Sequence, residues 1–395
     1  RIAYYAALKR HRGFRLLVMG CMAERLHDEF REKFPAVDFC VGRSERGLME
    51  DIFSSMERGT DFSLHAERPA AGYSFFSASY VPGAFQAYLP IMNGCNNFCS
   101  YCIVPYVRGR EVSRSLEEIL SELSYYEDRG VREITLLGQN VNSYGYLDPA
   151  TGATVGFPEL LERVARHIER RGVIRWVRFM SSHPKDLSDA LIEVIARESA
   201  MCRLIHLPVQ HGSNRILDAM NRRYTRESYL DLVDRIRSRI PDVALSTDIL
   251  VGFPGETEED VQDTLSLMET VGYDAAFMYH YNPREGTKAF GLPGRIPDAA
   301  KKERLARVIK LQHSIAAGRM RARVGADVMV LVESTSRNDK NELFGHTECG
   351  DMVVFSGLQD PSLIGHFVMA KLTGLRGRTF RAKIQAIEPD NPGRC

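Results

Sequence analysis

The sequence predicts an α/β protein built around a partial parallel barrel of six strand–helix units, preceded by a small α/β unit and followed by a small all-β barrel. Three observations carry this. Between Tyr88 and about Asn282, short apolar runs alternate regularly with longer segments of helical period. Residues 1–65 alternate in the same way on a smaller scale. After Gly325 the helical period stops, and short strand-like runs separated by glycines and Asn/Asp pairs replace it. With 395 residues and 44% hydrophobic content, the chain has material for two or three cores.

In order, Tyr4, Ala7 and Leu8 sit at helical spacing with Gly13 as a stop, and Arg15 to Cys21 reads as a buried strand ending in a turn. A helix is expected from Ala23 to Phe34, ended by Pro35, then a strand from Val37 to Val41 and a helix from Ser44 through Ile52. Cys21 then falls just past a strand's carboxyl end, where open α/β sheets place ligands; Cys40 lies mid-strand and reads as packing. Residues 66–86 read as a linker, residues 87–323 as the central domain and residues 324–390 as the terminal one. The six central strands are expected at Tyr88 to Met92, Glu133 to Leu137, Arg175 to Met180, Arg203 to Leu207, Ala244 to Val251 and Ala275 to Tyr281. Ser115-Leu116-Glu117-Glu118 has the capping-box pattern of a helix start, and Thr257-Glu258-Glu259-Asp260 places acids near a positive helix end.

Parallel barrels put chemistry at the carboxyl ends of their strands. The unusual strings of this chain fall there. Cys95 to Cys102 follow the first strand, Gly138-Gln139-Asn140 the second and Ser181-Ser182-His183-Pro184 the third. Pro208 to Ser213 follow the fourth, Gly252 to Glu256 the fifth and Tyr281-Asn282-Pro283 the sixth. Cys202 begins the fourth strand and belongs to the opposite rim.

Three of the eight cysteines lie in C-x3-C-x2-C spacing at Cys95, Cys99 and Cys102, with no fourth Cys or His close behind. Iron–sulfur clusters use Cys thiolates, usually four, so three leave one iron open. Structural zinc normally wants four N or S ligands, and a packed core suits neither the glycine before the first cysteine nor the polar residues between them. Formal charge is +1, from 52 basic and 51 acidic residues, so any nucleic-acid surface must be local. No run of 18 apolar residues and no secretory flank appear at the start, which together with clustered cysteines point to a cytoplasmic, metal- or redox-using chain rather than a membrane or disulfide-bonded one.

The three-cysteine loop resembles the signature of radical S-adenosylmethionine enzymes, and Asn93 to Arg114, as NGCNNFCSYCIVPYVRGREVSR, resembles the MiaB branch of the methylthiotransferases. The strings LLGQNVNSY from Leu136, RFMSSHP from Arg178 and HLPVQHGS from His206 resemble the same branch. The resemblance implies a (β/α)6 barrel, a [4Fe–4S] cluster on Cys95, Cys99 and Cys102, and S-adenosylmethionine on its open iron. It also implies a tRNA substrate whose isopentenyl-type adenosine beside the anticodon receives a methylthio group at carbon 2. An external electron donor is implied, and a monomer is expected. Gly20-Cys21-Met22-Ala23-Glu24-Arg25 is similar to the third cysteine motif of the family's N-terminal domain, which implies Cys21 as one ligand of a second [4Fe–4S] cluster. Its two companion cysteines would fall before residue 1, so this chain is expected to be truncated there. Related branches act on threonylcarbamoyl-adenosine tRNA or a ribosomal protein, and without the upstream cysteines the chain would be an RNA-binding, S-adenosylmethionine-cleaving fragment.

S-Adenosylmethionine needs a donor for its carboxylate, acceptors for its ammonium, and close backbone approach at adenine and ribose. Gly138 and Gln139 stand where the superfamily's methionine-contact motif follows the second strand, and Ser182 and Gln210 are candidates for ribose or methionine. Gln210 and His211 read equally as satisfying loop backbone groups. Downstream, a long helix is expected from Asp298 to about Arg323; eight Lys or Arg residues against one Glu between Lys301 and Arg323 suit either a solvated face or a phosphate-facing one. Strands are then expected at Val328 to Glu333, Leu343 to Thr347, Met352 to Phe355, Phe367 to Leu372 and Thr379 to Ile387. These suggest a five-stranded barrel of the kind used for single-stranded nucleic acid, and they resemble the TRAM domain. Arg376, Arg378 and Arg381 lie in a run from Lys371 to Lys383 without an acid, a local positive field suited to an anticodon loop.

Overall fold

A computed structural model describes residues 1–42, 46–58, 75, 80–337, 339–357 and 360–388. The chain forms two compact units, one of residues 1–76, 93–98 and 102–112, the other of residues 77–92, 99–101 and 113–395. The expected linker at 66–86 and the helix start at Ser44 fall mostly outside the described residues.

In the first unit, α1 (Ile2–Lys9) leads to β1 (Leu17–Met19), then α2 (Cys21–Arg25), α3 (His27–Lys33), β2 (Phe39–Val41) and α4 (Met49–Arg58). β1 and β2 pair in parallel, as the alternation requires. The single helix expected from Ala23 to Phe34 is two, broken at Leu26, whose φ of −110° and ψ of 17° leave the helical region. Cys40 is buried among Ala23, Phe30 and Val37, the packing role expected of it. The short helix α5 (Val104–Arg108) also belongs here and lies against α2.

The second unit contains the barrel. β3 (Gln86–Pro90), α6 (Leu116–Glu127), β4 (Glu133–Leu137), α7 (Phe157–Arg171) and β5 (Trp176–Phe179) are followed by α8 (Asp189–Arg197), β6 (Leu204–His206) and α9 (Asn214–Ala219). Next come α10 (Arg226–Arg239), β7 (Ala244–Val251), α11 (Glu258–Val271) and β8 (Ala275–His280). β3, β4 and β5 pair in parallel, and so do β6, β7 and β8; a parallel bridge between Val177 and Met201 joins the two sets. Six strands in chain order, all parallel, make the partial barrel the sequence predicts. Residues of one strand alternate between faces: Leu89, Ile134, Leu136, Val177 and Phe179 pack outward with Ile119, Leu123, Leu160 and Leu191 of the helices. Ser115 caps α6 by accepting the Glu118 N–H, and Thr257 and Asp260 form a reciprocal capping box on α11.

α12 (Asp298–Ala322) packs along β8 and α11. Its basic residues face inward far more than a phosphate-binding surface requires. Arg304 pairs with Glu256, Arg307 with Glu258, and Arg319 and Arg323 with Asp274, while Lys301 is buried against Asp298. The charge of this helix is therefore spent largely on docking it. Five strands, β9 (Asp327–Thr335), β10 (Leu343–Thr347), β11 (Met352–Phe355), β12 (Phe367–Arg376) and β13 (Thr379–Ile387), close into a barrel in the order β9-β10-β11-β13-β12.

A buried polar clip joins this small barrel to the parallel one. Glu133 on β4 pairs with Arg178 and, at 3.0 Å, with His346 of β10, whose other ring nitrogen lies 2.6 Å from Glu333. Arg178 also donates to the carbonyls of Thr347 and Glu348. Cys202 is buried beside Trp176, Leu331 and Phe367 at the same junction, at the rim opposite the cysteine loop's strand end, where the sequence placed it. Burial by itself would raise Glu133, but the His346 hydrogen bond and the Arg178 charge bring it down to about 2. Burial would lower His346, but its bonds to Glu133 and Glu333 raise it above the ordinary histidine range.

The signs fix a pH window. The His346 contribution is complete below the unfolded histidine value and fades as pH rises through the raised folded value. The Glu133 contribution is complete above the usual carboxylate range and fades as pH falls toward about 2. A His346→Ala variant should lose about 2 kcal/mol at pH 6, the worth of hydrogen bonds to charged groups, and less at alkaline pH. Urea unfolding at both pH values checks it, and an equal loss at both excludes a charged His346.

Candidate functional site: the cysteine loop and the carboxyl-end rim

Glycine is required ahead of the first cysteine. Gly94 has φ of 82°, and a Cβ there would collide with the Arg110 carbonyl. Cys95 donates its backbone N–H to Gly109 at 3.2 Å, Asn96 bonds Glu111, and the Arg110 guanidinium lies 4.4 Å from the centre of the Phe98 ring. These contacts fold the loop back on its own continuation. Its middle is fixed differently: Ser100 Oγ donates to Ala219 O at 2.8 Å, its N–H to Met220 O at 3.0 Å, and its carbonyl accepts from Ala289 N–H at 2.8 Å. Cys95 and Cys99 are each 9% exposed and Cys102 is half-buried, all as free thiols.

Among the described residues, no three His, Cys, Asp or Glu side chains stand close enough to hold one metal ion. Three cysteines in one loop are the donor set of an iron–sulfur cluster with one open iron. A cation stands beside the sulfur of Cys99. The buried Arg222 donates to its Sγ at 3.3 Å, and a buried guanidinium needs a counter-charge. The donor set fits a cluster on this loop. Cys21 is exposed at the first turn of α2, and no described side chain joins it in a metal-binding group.

The rim of the second unit holds polar groups waiting for a partner. Asn140 Oδ1, both amide atoms of Asn142, Ser182 Oγ and His183 Nε2 are all buried with no hydrogen-bond partner among the described residues. Such atoms cost about 1–3 kcal/mol each when left unsatisfied, and five of them on two adjacent loops fit a polar small molecule such as S-adenosylmethionine. His183 Nδ1 accepts the Lys185 N–H at 3.3 Å, which leaves Nε2 to carry the proton. Burial, with the charges of Arg222, Lys185 and Arg223, pushes His183 down to about 2, so this donor is neutral.

The other expected contacts separate. Gly138 lacks room for a side chain because a Cβ would stand 2.5 Å from Met92 Cγ. Gln139 is half-buried beside it. Gln210 has φ of 68°, and its backbone bridges to β7 through Asp248 O and Leu250 N–H, while its Nε2 reaches Asp248 at 3.4 Å. His211 is structural: it is fully buried, bonds Glu256 at 3.2 Å, and accepts the Ser213 N–H. Gly212 lies so close to Asp263 and Thr264 that a Cβ would meet backbone at 2.5 Å.

Sequence reasoning missed Arg222, Asn142 and an aromatic wall. Met278 of β8 and Leu89 of β3 pack on the helix side, so Phe277, Tyr279 and Tyr88 face the concave side. They are 49%, 54% and 62% exposed. Phe277 stands in register with Asp248 and Tyr279 with Leu250, and the Phe277 ring meets His206 at 5.7 Å. The period-2 alternation of β8 could have located two of these; nothing local in the sequence marks Arg222.

Residues 89–268 match the family model of the radical SAM superfamily, and residues 321–385 match that of the TRAM domain. A curated protein of Treponema pallidum (strain Nichols), tRNA-2-methylthio-N(6)-dimethylallyladenosine synthase, is 55% identical over 97% of this chain and 86% of its own length. This chain belongs to the tRNA-2-methylthio-N(6)-dimethylallyladenosine synthase family. Family members in Treponema denticola and Moorella thermoacetica are 55% and 42% identical, over 97% and 94% of this chain and 87% and 82% of theirs. In structure, the chain is similar to the radical S-adenosylmethionine methyltransferase TsrM of Kitasatospora setae, with a TM-score of 0.53, 16% identity, and 73% and 62% of the two chains covered. That likeness is one of fold. The two family models together cover the parallel barrel and the terminal barrel of this one chain.

Replacing Cys95, Cys99 or Cys102 by Ala should abolish the brown colour and the iron bound by the loop in anaerobically reconstituted protein. Ser182→Ala should weaken S-adenosylmethionine binding about tenfold, or about 1.4 kcal/mol, with the iron content unchanged. Calorimetric titration reads this, and unaltered affinity would remove Ser182 from the site.

Proposed function

We propose that this enzyme attaches a methylthio group to carbon 2 of N6-(dimethylallyl)adenosine beside the anticodon of tRNA. The observation that carries the reading is the cysteine loop at the end of the first barrel strand, in a chain 55% identical over nearly its whole length to synthases of that name. The shared name of the relatives quoted favours this substrate over threonylcarbamoyl-adenosine or a ribosomal protein.

Carbon 2 of adenine carries no readily ionised proton, so a general base would fail where a radical succeeds. The cluster with S-adenosylmethionine supplies that radical when bound. Cys95, Cys99 and Cys102 hold the one, and Ser182, Asn140, Asn142 and His183, with Gln139 and Gln210 nearby, orient the other. Cys21 contributes to a second cluster tied to sulfur delivery. The electron comes from an external donor, and the enzyme works as a monomer in the cytoplasm; among the described residues no helix is long and apolar enough to cross a membrane.

The concave wall receives the nucleoside. Tyr88, Phe277 and Tyr279 offer exposed rings to a splayed-out purine and its apolar dimethylallyl group. The terminal barrel holds the RNA: Lys371, Arg376, Arg378 and Lys383 are exposed on β12, β13 and their turn, beside a cleft of about 510 Å³ lined by Arg337, Phe344, Arg376 and Arg381. Phosphate contacts there position the tRNA, and the wall reads the base.

Mass spectrometry of tRNA nucleosides from a strain lacking the gene should show N6-(dimethylallyl)adenosine in place of its methylthio form, and unchanged methylthio-adenosine would refute the assignment. Phe277→Ala and Tyr279→Ala should each lower kcat/KM for the modified tRNA between about tenfold and a hundredfold, given stacking worth ~1–3 kcal/mol per base. Arg376→Ala with Arg378→Ala should raise KM at low salt and flatten its salt dependence.

A further inference from the structure

We infer that Arg222 sets the reduction potential of the cluster held by the cysteine loop, through a charge-assisted hydrogen bond to the sulfur of Cys99. The inference rests on the reading of Cys99 as a cluster ligand. Arg222 Nη1 lies 3.3 Å from Cys99 Sγ, across 123 positions of chain. Its other donors are engaged: Nη2 gives to Pro208 O at 2.6 Å and Nε to Tyr224 Oη at 2.9 Å. The side chain is 4% exposed, and among the described residues no carboxylate pairs with it. A buried cation without a carboxylate takes another anion, and an iron-bound thiolate is one.

The backbone is bent to bring the two groups together. Asn221 and Arg223, on either side of Arg222, have φ of 56° and 60°, and Phe98, just before Cys99, has φ of 49°. Non-glycine residues hold the left-handed region only where the surroundings enforce it, and they gather at functional sites. Tyr224, whose hydroxyl also donates to Val209 O at 2.8 Å, clamps the guanidinium against the loop that follows β6. The sulfur therefore faces a guanidinium that has little freedom to turn elsewhere.

Reduction adds one negative charge to the cluster. A fixed positive charge and an N–H donor at a ligating sulfur stabilise that more negative form more than the oxidised one, which raises the potential. Arg222 touches no reacting atom; it acts through Cys99. Its effect is to bring the cluster within reach of an external donor.

The test is a redox titration followed by EPR on the reconstituted full chain in a Cys21→Ala background, so that the loop cluster alone is read. Iron and sulfide analysis of this parent comes first: if no cluster forms, the site reading itself fails, and this inference with it. With the cluster present, Arg222→Met and Arg222→Gln should shift the midpoint potential downward, Met further than Gln because it removes the donors as well as the charge, and Arg222→Lys should recover most of the shift. Full iron content with an unmoved potential in both neutral variants overturns the inference. Where those variants lose iron, the unsubstituted parent decides: with 15N in its arginine guanidinium groups, the reduced cluster should show a weak 15N coupling in pulsed EPR, and absence of that coupling overturns it.

Discussion

Six strands running in one direction have their carboxyl ends on one side, and this constraint organises the catalytic unit. Each strand hands its chain to a loop on that side before a helix returns it, so residues far apart in sequence become neighbours without any local preference for one another. The bonds of Ser100 to Ala219, Met220 and Ala289 show the consequence, since they tie the loop after the first strand to the segments after the fourth and the last. Cys99 meets Arg222 because those bonds hold the loop there.

Backbone strain is collected in the same place. Among the described residues, the non-glycine positions in the left-handed region are Phe98, Ser181, Gln210, Asn221 and Arg223. Each adjoins a residue of the proposed site or is one. At about 1–3 kcal/mol apiece, with five buried polar atoms nearby left without a partner among the described residues, the rim carries a local cost that the helix-side core behind the strands offsets. S-Adenosylmethionine bound as proposed would relieve the polar part of the deficit, which would link ligand affinity and local stability there.

The charges divide into two kinds. Most of those of α12, and those of the Glu133, Arg178 and His346 clip, are consumed in joining elements of one unit, which is why a long basic helix need not be an RNA surface. Those of the β12–β13 hairpin remain in solvent, where they can meet phosphate. A net charge of +1 is the sum of both and describes neither.

The strand and helix order, the parallel barrel and the five-stranded terminal barrel were legible in the sequence because they rest on periodicity, on caps such as Ser115 and Thr257, and on glycine punctuation, all of which act within a few residues. The three cysteines were legible for the same reason: their spacing is local. At Gly138 the sequence marks a close approach, and only the structure shows that Met92 is one of the groups making it. Arg222, the orphaned Asn140 oxygen and Asn142 amide, and the concave placement of Phe277 and Tyr279 were decided only in three dimensions. A counter-charge 123 positions away, an absent hydrogen-bond partner and the choice of sheet face are properties of packing, and the local pattern of residues does not encode them.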